Sequence, residues 1–141
     1  MVKRAIPVHV DLTTVMEQDG QQDRFHFTEE GQFVELNGTY FLRYQEHQQG
    51  QVTPVQFRLA DAELHLRRSG VRETVFTFVN QQTTKAHYQT EYGKIDLEVT
   101  TNRLLVDFDP VAARGSVDLE YQLVASNQLV GTYQLQLQFS R

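Results

Sequence analysis

The sequence predicts an all-β fold, a single antiparallel up-and-down barrel of about eight to ten strands that takes up residues 1–141 as one domain. First, 46 of the 141 residues are Val, Ile, Thr, Tyr or Phe, the types that suit a pleated, half-buried surface. Second, apolar and polar residues alternate with a period of two in almost every segment. Third, the connections are short enough for hairpins, which favours a closed barrel, with a two-sheet sandwich as the alternative.

The first strands follow from this alternation. Residues 6–16 predict a long, half-buried strand because their even positions are mainly apolar, and the polar stretch 17–22 then turns the chain. Residues 24–28 predict a second strand, which we expect to end in a turn at Glu30-Gly31. A short third strand over 33–36 follows that turn.

The next connection carries the strongest hairpin signal in the sequence. Asn37-Gly38 predicts a type I′ turn, because both residues tolerate the positive φ that this turn requires, and it leads into a strand over 40–46. For residues 111–115 we expect a loop rather than one helical turn. The other strands predicted by the same alternation cover 55–59, 64–68, 74–78, 86–92, 95–101, 104–108, 117–123 and 131–139.

The composition excludes several classes of function. Thirteen Lys and Arg are scattered among 18 Asp and Glu, for a net charge of -5, which argues against a nucleic-acid partner. With no cysteine, the chain has no disulfide, no thiolate nucleophile and no cysteine-ligated metal site. No apolar run is long enough for a membrane-spanning helix, and the first residues lack the apolar core of a signal peptide. We therefore expect a cytoplasmic protein without a membrane partner.

No familiar catalytic or cofactor motif is present. The five histidines show no H-E-x-x-H spacing and predict a surface role, although a metal site assembled from distant strands stays open. No serine lies in a G-x-S-x-G elbow, and neither glycine-rich nucleotide motif occurs. Asp107 and Asp109 share a strand face just before Pro110, which is typical of a solvated strand end rather than an acid/base pair. The sequence thus predicts no catalytic residue, no metal and no cofactor.

Several short motifs, taken in order along the chain, resemble the YwiB-like family of small bacterial proteins of unknown function. They are Phe33, Leu42-x-Tyr44-x-Glu46, Arg68-Ser69-Gly70, Tyr88, Gly93-x-x-x-Leu97 and Tyr121. The resemblance implies a cytoplasmic, calycin-like β-barrel related in shape to the lipocalins, and it brings no established activity, ligand or catalytic residue. The analogy with lipocalins suggests a small apolar ligand, but a fold does not fix a function.

The tyrosines are the first pointer to a site. All six fall on the inward phase of the predicted strands, whereas a dry core would favour phenylalanine. A buried hydroxyl needs a partner, so either the hydroxyls reach water at the barrel ends or they line a cavity with polar walls. The second interpretation makes Tyr44, Tyr88 and Tyr121 candidate ligand-binding residues.

Two charged residues, Glu46 and Arg68, also lie on the inward phase and complete the candidate ligand-binding set. A buried charge is costly unless it is paired, so a mutual ion pair is one prediction. The alternative is that both lie at strand ends and extend their charged groups into solvent. In the functional hypothesis, Arg68 anchors an acidic head group, with Tyr44 and Tyr121 on either side.

Three classes of function remain open at this point. The first is a non-enzymatic cytoplasmic barrel that binds a small, partly apolar and possibly acidic ligand in its interior. The second is a protein-interaction or structural module with a filled barrel, for which an unpaired edge strand could support a homodimer. The third is an enzyme that uses Glu46 or a tyrosine as acid or base.

Overall fold

The described residues, 3–48, 50–70, 73–90 and 92–141 of the computed structural model, form a closed barrel of ten antiparallel strands. The strands are β1 (Lys3–Gln18), β2 (Gln21–Leu36), β3 (Thr39–Gln48), β4 (Gln51–Ala60), β5 (Glu63–Arg68), β6 (Thr74–Val79), β7 (Thr83–Thr90), β8 (Gly93–Asp109), β9 (Arg114–Ala125) and β10 (Gln128–Ser140). Each strand pairs with its neighbour in the chain, and β1 closes the barrel against β10. The predicted all-β, up-and-down barrel is confirmed.

The hairpin predicted at Asn37-Gly38 is also confirmed. Asn37 has a φ of 51° and Gly38 a φ of 78°, as a type I′ turn requires. This turn places Leu36 opposite Thr39 and so sets the register between β2 and β3. In a barrel with one buried face, that register decides which side chains point inward.

The turn predicted at Glu30-Gly31 is wrong, because β2 continues through both residues. Gly31 lies in the strand for a steric reason: a Cβ atom there would be 2.6 Å from the carbonyl oxygen of Arg43 and 3.1 Å from the Cβ atom of Tyr44. A glycine inside a strand often marks such a close backbone approach. The second and third predicted strands are therefore one long strand.

Other predicted elements differ in smaller ways. The segments 95–101 and 104–108 belong to the single strand β8, which has a bulge between Thr101 and Arg103. Residues 110–113 form a turn with Ala113 at a φ of 55° and no helix, as expected, but Arg114 and Gly115 of the predicted loop already belong to β9. Tyr92 does not face the interior, because it lies in the turn between β7 and β8 with 93 % of its surface exposed.

The interior is filled from one end of the barrel to the middle. At the filled end, Phe33 stacks on Tyr40 and Phe139, with ring centroids 5.8 and 5.4 Å apart, and Phe108 lies against Tyr40 at 5.2 Å. In the middle layer Phe57 and other large side chains are almost fully buried. Burial of this apolar surface is the main stabilising contribution available to a chain without disulfides.

Closure of the barrel leaves the first part of β2 without a strand partner on one side. The pairing of β2 with β3 runs only from Gly31 with Tyr44 to Leu36 with Thr39. Residues 21–30 of β2 therefore pair with β1 alone, and within the described chain their other edge has no strand partner.

No helix in the described residues is long and apolar enough to span a bilayer.

An open cavity at one end of the barrel

Strand register brings the predicted site residues to the same level of the barrel wall. Tyr44 on β3 lies opposite Val55 on β4, and Val55 lies opposite Arg68 on β5. Arg68 in turn lies opposite Thr74 on β6, which is the register partner of Tyr88 on β7. Residues far apart in sequence thus form one row that runs across five neighbouring strands.

Glu46 and Arg68 form the predicted ion pair. The Arg68 Nη2 atom donates a hydrogen bond of 2.6 Å to the Glu46 Oε1 atom. The Glu46 side chain is only 5 % exposed, whereas the Arg68 side chain is 40 % exposed. The alternative, in which both charged groups extend into solvent, is therefore wrong for Glu46. A carboxylate this buried is costly without a paired cation. The guanidinium, by contrast, keeps other N–H groups free for a ligand.

A cavity of about 910 Å³ opens at the end of the barrel opposite the aromatic cluster. Its apolar wall includes Phe76, Leu97, Leu123 and Val130. Among the described residues that line it, Arg68 is the only one with a charged side chain. A concave, mostly apolar space with a few polar groups is the usual form of a small-molecule site.

The wall on β9 and β10 carries two tyrosines. Tyr121 and Tyr133 stack with ring centroids 4.9 Å apart, and both line the cavity. The Gln18 Nε2 atom donates a hydrogen bond of 2.9 Å to the Tyr133 hydroxyl. Tyr121 is 8 % exposed, and in the described structure its hydroxyl has no protein hydrogen-bond partner. That hydroxyl is therefore available to a ligand.

Arg68 lies close enough to the hydroxyls of Tyr44 and Tyr121 to affect their pKa values. Burial raises the pKa of the Tyr44 hydroxyl well above its ordinary value, and the Glu46 carboxylate adds to this, while Arg68 acts in the opposite direction. Burial likewise raises the pKa of Tyr121, with a smaller contribution from Tyr133 and an opposing one from Arg68. Both hydroxyls thus stay protonated near neutral pH and can donate hydrogen bonds.

The predicted residues do not all line the same space. Arg68, Tyr88 and Tyr121 lie on the cavity wall, and Tyr88 is 37 % exposed at its rim. Tyr44 is not on that wall: it packs beside the ion pair with its ring 6.4 Å from that of Phe57. Glu46 acts on the cavity through Arg68.

The sequence missed other parts of the wall. Phe76, Leu97 and Leu123 lie on the inward phase of their strands, and an inward phase does not distinguish a filled layer from an empty one. Gln18 carried a usable signal, since a polar side chain on the inward phase at a strand end indicates a hydrogen-bond partner inside. Thr101, which is 1 % exposed, has an Oγ1 atom without a partner in the described structure.

The histidines lie among carboxylates, His65 half-buried and the others exposed. The carboxylate partners are Glu30 for His9, Asp11 for His26, Glu29 for His47 and Asp96 for His87, at 2.6–3.0 Å. The Nε2 atom of His65 accepts a hydrogen bond of 2.8 Å from the Arg58 Nη2 atom and lies 3.2 Å from Glu63. No three His, Asp or Glu side chains of the described residues are grouped so that they could hold a metal ion. Each histidine therefore has a local polar partner.

Comparisons with known proteins agree with this architecture. A crystal structure of the ywiB protein from Bacillus subtilis superposes with a TM-score of 0.83 at 20 % identity and covers 96 % of this chain and 92 % of that one, which shows a shared fold. The uncharacterized beta-barrel protein YwiB of Bacillus subtilis (strain 168) is 27 % identical over 123 residues, or 86 % of this chain and 84 % of the relative. The family model described as a domain of unknown function, DUF1934, matches residues 10–137. The chain therefore belongs to the DUF1934 family, and the resemblance seen in its sequence is confirmed.

Proposed function

We propose that this chain binds a small, partly apolar ligand in the open end of its barrel and performs no reaction on it. The observation that carries the proposal is the cavity of about 910 Å³, which combines an apolar wall with one cation, Arg68. Ligand pockets typically have volumes of about 300–1,000 Å³ and a similar balance of apolar and polar groups. The apolar part of the ligand would lie against Leu97 and Leu123, and its polar group, acidic or neutral, would face Arg68 and Tyr121.

The chemistry of the wall supports binding rather than turnover. Arg68 and the hydroxyl of Tyr121 can both donate hydrogen bonds, and burial keeps that hydroxyl protonated. Such groups orient a polar ligand atom without activating water or a nucleophile. The absence of cysteine suits the cytoplasm, which is the compartment we propose.

Fluorescence titration with N-phenyl-1-naphthylamine, a neutral amphipathic probe, tests this function. We expect saturable binding to the wild type and weaker binding to Ala125→Trp, because Ala125 lines the cavity and a large ring there takes up part of the space. The matched control is Ala5→Trp, since Ala5 is exposed on β1 at the other end of the barrel. Equal binding by both variants, or no binding by the wild type, would contradict the proposal.

A second candidate function is protein docking, and the unpaired edge of β2 favours it. Residues 21–30 present free backbone groups along one side, and an exposed edge of this length is a template for pairing with another strand. The simplest partner is a second copy of this chain, paired antiparallel. In the β1–β2 hairpin the backbone N–H groups of the even residues of β2 face the open edge, so Thr28→Pro blocks edge pairing and leaves the bonds to β1 in place. Light scattering after size-exclusion chromatography tests this: a dimer that Thr28→Pro converts to a monomer supports edge pairing, and a monomer at all concentrations contradicts it.

A further inference from the structure

The charge balance around Arg68 decides which polar group the cavity accepts. The Arg68 guanidinium is already neutralised by Glu46, whose carboxylate is 2.6 Å away and almost fully buried. A second carboxylate, that of Glu29, lies close enough to raise the pKa of Tyr44 and forms a pair of 2.8 Å with the exposed His47. An incoming anion would therefore meet a cation that Glu46 already neutralises, while the Glu29 carboxylate lies off the cavity wall beside Tyr44.

Hydrogen-bond donors, by contrast, are in excess at this point. Arg68 uses Nη2 for Glu46 and has other N–H groups left, and the Tyr121 hydroxyl has no protein partner in the described structure. A neutral acceptor such as a hydroxyl or carbonyl oxygen can use these donors without adding charge. A carboxylate can use them too, but it is repelled by Glu46.

We infer that the cavity selects a neutral, hydrogen-bond-accepting head group over a carboxylate on the same apolar tail, and that Glu46 sets this preference. The inference rests on the proposed function, since it concerns the same cavity. It assigns Glu46 the role of a positioning and charge-balancing residue that acts through Arg68. Specificity of this kind arises from a repulsive group as much as from an attractive one.

Competition between decan-1-ol and decanoate tests the inference. Each compound displaces N-phenyl-1-naphthylamine from the protein, in a buffer in which decanoate is fully ionised. Because an alcohol is more apolar than a carboxylate, the informative quantity is the change in the ratio of the two affinities between variants. We expect Glu46→Gln to shift the ratio toward decanoate by about tenfold or more, because Arg68 is then an uncompensated cation.

Three further variants test whether the effect comes from the charge of Glu46. In the double variant Glu46→Gln/Arg68→Gln the site is neutral again, so the ratio returns toward the wild-type value. The control Asp107→Asn removes an exposed carboxylate at the filled end of the barrel and leaves the ratio unchanged. Glu29→Gln removes the second carboxylate and shifts the ratio in the same direction as Glu46→Gln, which keeps the test available if Glu46→Gln does not fold.

The possible results distinguish failure of the head-group preference from failure of ligand binding itself. An affinity ratio that stays constant in a folded Glu46→Gln variant, or in Glu29→Gln if Glu46→Gln does not fold, overturns the inference and leaves the binding function intact. An equal shift in Asp107→Asn also overturns it, because net charge alone then explains the effect. Failure of the wild type to bind the naphthylamine probe overturns the proposed function itself.

Discussion

Replacing either member of the Glu46–Arg68 pair should destabilise the protein, but by different amounts. Arg68→Gln leaves a carboxylate that is 5 % exposed without its cation. Removing one partner of a buried pair lowers the free energy of unfolding by about 3–5 kcal/mol. We expect a loss of about 3 kcal/mol here, because the Arg68 side chain is partly exposed to solvent. Glu46→Gln leaves a guanidinium that is 40 % exposed and can be hydrated. We therefore expect the free energy of unfolding to fall by about 1 kcal/mol, close to the contribution of one hydrogen bond.

Equilibrium unfolding in urea measures this difference. With a slope of about 2 kcal/mol per molar for a chain of this size, the midpoint falls by about 1.5 M in Arg68→Gln and by about 0.5 M in Glu46→Gln. The double variant should cost less than the sum of the single ones, because it leaves no unpaired charge.

A neighbouring arginine provides the matched control. Arg67 donates a hydrogen bond of 3.0 Å to Glu73, and both side chains are about half exposed. Arg67→Gln should change the unfolding free energy by about 0.5 kcal/mol or less, as is usual for a surface pair. Equal costs for Arg68→Gln and Glu46→Gln, or a larger cost for the latter, would refute the argument from burial.

Three further predictions follow from the barrel itself. Gly31→Ala should cost about 2 kcal/mol of unfolding free energy in the same urea assay because its Cβ atom would strike a backbone carbonyl. Gly70→Ala should be nearly neutral because its Cβ atom would make only an ordinary contact of 3.8 Å with Thr53, and similar costs for the two variants would contradict the contact geometry. Thr101→Val should stabilise the protein by about 1 kcal/mol by removing a buried hydroxyl without a partner, and a loss of stability would contradict this. Above pH 10 the folded state keeps the protons of Tyr44 and Tyr121 while the unfolded chain loses them, so unfolding free energy should fall by up to about 1.4 kcal/mol per pH unit for each; a Tyr44→Phe/Tyr121→Phe variant that declines as steeply would refute it.

Much of the barrel could be predicted because alternation reports the inward face of each strand directly. It placed Glu46, Arg68 and Tyr121 inside, and the structure has them there. The sequence pattern was misleading where one residue type fits two different structures. Gly31 resembles a turn residue in the sequence, but it is a glycine because the chain of β3 passes too close for a side chain.

The features that could not be predicted depend on how the barrel closes. Tyr92 continues the alternation of its strand but lies in a turn, since the exact point at which a hairpin reverses is not set by hydrophobic period alone. The position of Tyr121 on the same cavity wall as Arg68 follows from the pairing of β10 with both β1 and β9. That pairing joins the two ends of the chain, and no local pattern encodes it.

An NMR titration of the labelled protein with decan-1-ol shows whether a neutral amphipathic molecule binds at the open end of the barrel. We expect saturable shifts of backbone amide signals from residues at the open end, including Arg68, Leu97 and Leu123, with little change around Phe33 and Phe108 in the filled end. Shifts confined to the edge of β2, or no saturable shifts at all, would contradict this expectation.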